Sequence, residues 1–365
     1  MSADTLRRIR IEGFKSIASV DVELRPINIL IGANGSGKSN FLGAFRFLSE
    51  IAARRLRNYV TAAGGAEKVL HFGSRTTNAI RLEAIFNVRG SAPDQSYELI
   101  LAPTEDDALF PSFEQIRRGP YPKSLTEWQR GLEAGIGNLE SVPYTGGLHQ
   151  QLEMWKVYHL HDTAYMRKTA SLGDNRFFRP NGSNLPAFLF SLREKWPDSY
   201  ALIVRTIRQV APFFNDFRLS PLELNTADIQ LEWSHAKSDQ YFNASSLSDG
   251  TLRFMALATL FLQPPVYWQS IIVVDEPELG LHPKAIEVLA SLIRRASNET
   301  QVVVSTQSSL LLDYFDPEEV LVADLVEGGT RLKRLDSTRL AKWLEDYSLG
   351  QLWEKNEFGG RPVPA

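Results

Sequence analysis

The chain opens on short apolar segments of period two. Residues 6–14 and 20–24 alternate apolar and polar positions, and 27–31 is an almost continuous apolar run, so three strands are expected ahead of a glycine-rich loop. Residues 38–59 carry Ala, Leu, Phe and Arg with no breaker after Gly43, which predicts one long helix. Two further strands, 79–88 and 96–101, flank a turn expected at 90–94. Between Pro103 and Trp233 the pattern loosens. Pro, Gly, Trp and Arg are scattered among helical patterns at 185–196 and 200–210, and the stretch reads as an inserted, mainly helical subdomain. The order that follows is helix (251–262), buried strand (270–275), helix (284–295), buried strand (301–305) and helix, an alternation that predicts an α/β fold with a parallel sheet. The expected division is a first half of the core with an antiparallel β subdomain (1–102), the insert (103–235), a second half of the core (236–335) and a helical tail (336–365).

Composition narrows the chemistry. The 365 residues include no Cys, which excludes disulfides, thiolate catalysis and Cys-ligated metal centres. Hydrophobic residues at 43% and charged residues at 23% fit an ordinary globular chain. No apolar stretch approaches the roughly 18 residues of a membrane helix, and the first residues lack an apolar signal segment, so a cytoplasmic protein with no membrane partner is expected. A formal charge of −3 does not advertise nucleic-acid binding, although it leaves room for a local basic patch.

Two motifs carry the chemistry. Gly32-Ala33-Asn34-Gly35-Ser36-Gly37-Lys38-Ser39, followed by Asn40, matches G-x-x-x-x-G-K-[ST] between an expected strand and an expected helix. Its glycines let successive N–H groups face phosphates, Lys38 reaches the β and γ oxygens, and Ser39 is a Mg²⁺ ligand; ATP and Mg²⁺ are the expected cofactors. The second motif is the apolar run 271–274 ending in Asp275 and Glu276, as a buried parallel strand delivers carboxylates to its C-terminal edge. Asp275 is expected to hold the Mg²⁺ through water and Glu276 to orient or deprotonate the attacking water. Leu247-Ser248-Asp249-Gly250-Thr251 opens a helix, and its spacing alone suits a simple N-cap as well as an anion-binding terminus.

In order, the glycine loop, LSDGT, DEPELGLHP and VVVSTQS resemble the Walker A, signature, Walker B with D-loop, and switch motifs of ABC-type ATPases. The opening IRIEGFKSI resembles the start of RecF-like and SMC-like members. LSDGTLRFMALATL and DYSLGQLWEKNEFGGRP resemble a bacterial group of RecF-type AAA ATPases. The resemblance implies a P-loop fold of the ABC/RecF type and an ATP-dependent homodimer, in which Ser248 and Gly250 contact the γ-phosphate held by the other protomer. The switch position usually carries His and here carries Gln307. Its amide can donate to a γ-phosphate but cannot shuttle a proton, so slow, gating hydrolysis is expected from Glu276, Lys38 and Gln307. No sustained heptad pattern accompanies the motifs, so the long coiled coil of SMC relatives is not expected.

Other residues read as structural. His159, His161 and Asp162 lie close in sequence, but no third metal ligand is identifiable. His282 is assigned to the dimer interface, and Trp343, Leu344, Leu349, Leu352 and Trp353 to core packing. Basic residues outnumber acidic ones in 151–220, where Arg176-Phe177-Phe178-Arg179 interleaves cations and aromatics; Arg46, Arg54, Arg55 and Arg57 form a second basic group. The reading favoured is an ATPase whose nucleotide-driven dimerisation gates DNA binding or a separately encoded effector such as a Toprim-type nuclease, in DNA repair or anti-phage defence. A non-hydrolysing nucleotide sensor and the ATPase subunit of a membrane transporter are the alternatives.

Overall fold

A computed structural model describes residues 5–88, 94–125, 129, 131–138 and 147–360. The turn expected at 90–94 falls largely outside them. At the centre is a six-stranded sheet in the order Gly329–Arg334, Val320–Val326, Ile27–Ile31, Gln301–Thr306, Ile271–Asp275, Lys156–His159; neighbouring strands are parallel except for the antiparallel edge strand Gly329–Arg334. Strands Ile27–Ile31, Ile271–Asp275 and Gln301–Thr306 are buried at every position. Both of their faces are covered, which is why they read as continuous apolar runs. Ile29, Ile272, Val274 and Val304 join one hydrophobic core, while Leu30, Ile271, Val273 and Val303 join another on the opposite face.

The second core lies between the central sheet, helix Lys38–Ala52 and a six-stranded antiparallel sheet in the order Ile17–Glu23, Thr5–Phe14, Ile80–Asn87, Gln95–Pro103, Leu109–Arg118, Tyr121–Ser124. Phe14 and Phe47 stack there with ring centroids 5.3 Å apart. The first core takes helices Leu185–Lys195, Pro197–Val210, Asp249–Leu262 and Pro283–Ala296.

Two expectations differ from the structure. The single helix over 38–59 is two, Lys38–Ala52 and Leu56–Ala63, with Arg54 in the left-handed region at φ 58°. Glu133 causes the break, since its carboxylate accepts from the amides of Leu56 (3.0 Å) and Arg57 (3.1 Å) and so caps a new N-terminus from a remote part of the chain. Nor are the described residues of 103–235 mainly helical: Leu109–Arg118 and Tyr121–Ser124 extend the antiparallel sheet, Lys156–His159 is the edge strand of the central sheet, and Phe214–Arg218 pairs with Glu232–His235. Among its described residues the α-helices are the short Leu148–Glu153 and the pair at 185–195 and 197–210.

In the tail, helices Ser337–Leu344 and Leu349–Glu354 bury Leu340, Leu349 and Leu352. Leu344 and Trp353 pack against the first core, whereas Trp343 is 44% exposed. No helix among the described residues is long and apolar enough to cross a membrane.

Candidate nucleotide site

Strand Ile27–Ile31 leads directly into the glycine loop, and helix Lys38–Ala52 leaves it, so the loop's amides and the positive end of the helix converge. Gly37 sits at φ 96°, and a Cβ there would lie 1.8 Å from Thr330 Oγ1 on the antiparallel edge strand. Only glycine allows both that turn and that approach. The Lys38 ammonium donates to the carbonyls of Gly32 (2.7 Å) and Ala33 (2.9 Å), folding over the loop where phosphate oxygens would compete for it. Burial lowers its pKa, and the carboxylates of Glu276, Asp275 and Glu278 oppose that shift. Ser36 Oγ is buried with no hydrogen-bond partner. A cradle closed to side chains, a buried orphan hydroxyl and an exposed Ser39 fit a triphosphate with its divalent ion. Asn40 donates to Ser16 Oγ at 2.8 Å, and Ser16 is hydrogen-bonded to Thr330 at 2.7 Å, so Asn40 ties the loop to the flanking sheets.

The acidic strand end faces this loop. Asp275 stands in register with Ser305 on one side and His159 on the other. Ser305 donates to its Oδ1; Oδ2 lies 3.5 Å from Ser39 Oγ and 3.3 Å from His159 Nδ1. Burial pushes the Asp275 pKa up, but hydrogen bonds from His159 and Ser305 outweigh it and hold the group below its ordinary value. Glu276 is in the left-handed region at φ 44°, a conformation that costs a bulky L residue about 1–3 kcal/mol and marks a side chain aimed by its turn. Its amide donates to the Ser305 carbonyl at 3.0 Å, and the Gln307 side-chain amide donates to its carboxylate. The structure thus brings Gly32 to Asn40, Asp275, Glu276 and Gln307 to neighbouring strand ends of one sheet.

Sequence reasoning missed Glu278. It is buried, accepts from Thr306 Oγ1 (2.6 Å) and the Gln307 amide (3.3 Å), and so fixes the switch loop against the loop after Asp275. Burial raises its pKa, and the bonds from Thr306 and Gln307 partly offset this. Only its place after Pro277 in DEPE hinted at a role.

Ser248 is exposed and caps helix Asp249–Leu262, its Oγ accepting from the Thr251 amide at 3.2 Å. Gly250 packs so closely that a Cβ would lie 2.3 Å from the Gly280 carbonyl, which locks helix Asp249–Leu262 to the loop after Glu276. Asp249 accepts from Thr163 Oγ1 (2.5 Å) and Arg167 (2.6 Å), while Arg253 donates to the carbonyls of Leu160 and His161. His282 caps helix Pro283–Ala296 through Nδ1, which accepts from the Lys284 amide at 3.2 Å. Asp162 accepts from the Ala164 amide at 3.0 Å within its own turn. The third potential metal ligand that the sequence did not reveal beside His159 and His161 is Asp275, whose carboxylate lies within 4.8 Å of a nitrogen of each ring.

Much of the basic excess in 151–220 is engaged internally. Arg167 pairs with Asp249, Arg179 with Asp174 and Arg218 with Glu232, while Arg193 and Arg208 donate to the carbonyls of Leu219 and Asn215. Phe178 is core, and Arg176 stacks over Phe177. In the second group, Arg55 pairs with Glu50 and Arg54 donates to the Gly137 carbonyl.

A family model described as an AAA domain, putative AbiEii toxin of a type IV toxin–antitoxin system, matches residues 27–313. The chain belongs to this AAA-domain family. Its fold matches the Smc head bound to the C-terminal winged-helix domain of ScpA, with TM-score 0.65 and 15% identity over 93% of this chain and 99% of that one. It also matches the Smc head domain with an extended coiled coil from Pyrococcus furiosus, with TM-score 0.61 and 14% identity over 94% and 99% of the two chains. The AAA domain therefore has the fold of an SMC head, as the motifs implied. Among curated proteins, the Old nuclease of Escherichia phage P2 is 24% identical over 84% of this chain, and Urease accessory protein 2 of Cryptococcus neoformans var. grubii is 33% identical over 27% of it. The matched parts span 57% and 8% of those two proteins.

Proposed function

We propose that this AAA domain binds ATP with a divalent ion and hydrolyses it slowly, and that two chains close over two nucleotides to gate DNA binding or a separate effector. The observation that carries the reading is the meeting of Ser39, Asp275, Glu276 and Gln307 at the ends of adjacent parallel strands, with Gln307 bonded to Glu276. Ser39 and Asp275 would help to hold the ion, which would supply charge compensation to the phosphates. The Lys38 ammonium exchanges the two loop carbonyls for phosphate oxygens. Glu276, aimed by its left-handed turn and restrained by Gln307, orients the water and accepts its proton. The exposed Ser248 on its rigid helix end is placed to meet a partner's γ-phosphate.

Replacing Gln307 with His is expected to raise turnover by up to about tenfold, roughly 1.4 kcal/mol off the barrier, because imidazole keeps the donor and adds proton exchange. Steady-state phosphate release measures it; a severe loss would show that the amide's bond to Glu276 is itself required.

The similarity to a phage nuclease supports a defence role in which ATP is the control and a nuclease the output. For direct DNA contact the candidate is the exposed Arg176 and Arg179 beside the aromatic Phe177. Mobility shifts at two ionic strengths should show affinity falling with salt at a log–log slope of about −0.9 per phosphate contact. Charge reversal at both arginines should flatten that slope. Absence of any shift at low salt with ATP present would leave a protein effector as the output.

A further inference from the structure

The outermost parallel strand, Lys156–His159, places His159 directly opposite Asp275. His159 Nδ1 lies 3.3 Å from Asp275 Oδ2, and the His159 and His161 ring centroids are 5.6 Å apart. One nitrogen from each imidazole and one Asp275 oxygen all lie within 4.8 Å of one another. His161 Nδ1 is buried without a hydrogen-bond partner, an arrangement that costs free energy unless something binds the atom. The backbone that carries His161 is fixed, since Arg253 donates to the carbonyls of Leu160 (3.1 Å) and His161 (2.8 Å), and Ser305 fixes the other Asp275 oxygen. The Ser305 bond is of the kind that orients a carboxylate ligand at a metal site. A cleft of about 760 Å³ reaches both histidines and provides an entry path. The same Asp275 oxygen lies 3.5 Å from Ser39 Oγ, so an ion here is also next to the phosphate loop.

We propose that His159 and His161 join Asp275, beside Ser39, in holding the divalent ion of the nucleotide site, and that these imidazole nitrogens make the site select a transition ion of the Mn²⁺ to Zn²⁺ series over Mg²⁺. Mg²⁺ is hard, takes oxygen ligands and keeps much of its water. Two imidazoles with one carboxylate instead favour first-row transition ions, with affinity rising from Mn²⁺ towards the end of the series. The inference deepens the nucleotide-binding reading and rests on it for the ion's role, but the triad itself can be tested without nucleotide.

The test is Mn²⁺ binding to the full chain, alone and with a methylene-bridged ATP analogue that brings no bridging nitrogen. Free Mn²⁺ is counted by its paramagnetic resonance signal, and bound Mn²⁺ is probed by spin-echo modulation from ¹⁴N. The unaltered chain is expected to show directly coordinated nitrogen in both arms and to release Mn²⁺ to Zn²⁺ far more readily than to Mg²⁺. His159→Ala and His161→Ala should each weaken Mn²⁺ by at least about tenfold, the scale of losing a supporting contact at a metal site, with an unchanged thermal-unfolding profile of the metal-free chain as the check on folding. Bound Mn²⁺ without nitrogen coupling in the unaltered chain, or equal competition by Mg²⁺ and Zn²⁺, would overturn the proposal even if every variant misfolded. Failure to bind the analogue with either ion would instead defeat the ATP reading, with the metal-alone arm still deciding the triad.

Discussion

Glu276→Gln is expected to bind ATP as the unaltered chain does and to turn it over about 10²- to 10⁴-fold more slowly, the usual contribution of a positioned general base. The substitution keeps the shape of the side chain and can keep an oxygen facing Gln307, whose amide already donates to this group. It removes the carboxylate that accepts the water's proton. The backbone is equally prepared, since the left-handed turn at Glu276 and its amide bond to Ser305 do not depend on the charge. Single-turnover and steady-state phosphate release with fluorescent-nucleotide binding separate the two effects. A rate equal to that of the unaltered chain would reject the role of Glu276.

Ser248→Arg is expected to abolish ATP-induced pairing and to reduce turnover to the level of an isolated protomer, while each chain still binds ATP. Ser248 is exposed at the tip of a helix locked by Gly250 against Gly280 and by Asp249 against Thr163 and Arg167, so a long cation there need not disturb its own chain. It would collide with any partner whose nucleotide must approach the helix end. Losing the Ser248 cap costs about 1 kcal/mol of helix stability, too little to unfold a domain with two cores. Turnover that is independent of protein concentration and unaffected by the substitution would show that the site is complete in one chain.

The phosphate loop and the acidic strand end were legible because their chemistry is local. Gly32 to Ser39 is contiguous, and Ile271–Asp275 carries its carboxylate at the end of a run buried on both faces. The remainder depends on which strands become neighbours. His159 meets Asp275 only because Lys156–His159 adds to the far edge of the parallel sheet, a pairing between segments remote in sequence. The break at Arg54 escaped notice for the same reason, since the capping carboxylate belongs to Glu133. Strand Leu109–Arg118 was hidden because its two faces do not separate by polarity: Phe110 and Phe113 are exposed, while the buried positions are Leu109, Pro111, Glu114 and Ile116. Glu114 is itself buried, accepting from Tyr97 Oη and the amides of Gly135 and Ile136, so even its inward face does not read as apolar.

The central claim, that ATP drives two of these domains together over shared sites, is tested most directly by the mass of Glu276→Gln in solution. Multi-angle light scattering with ATP and Mn²⁺ or Mg²⁺ should show the mass doubling from the 41.1 kDa chain, returning to that of one chain when nucleotide is withdrawn or Ser248→Arg is added. A mass that ignores both nucleotide and Ser248 would contradict the account.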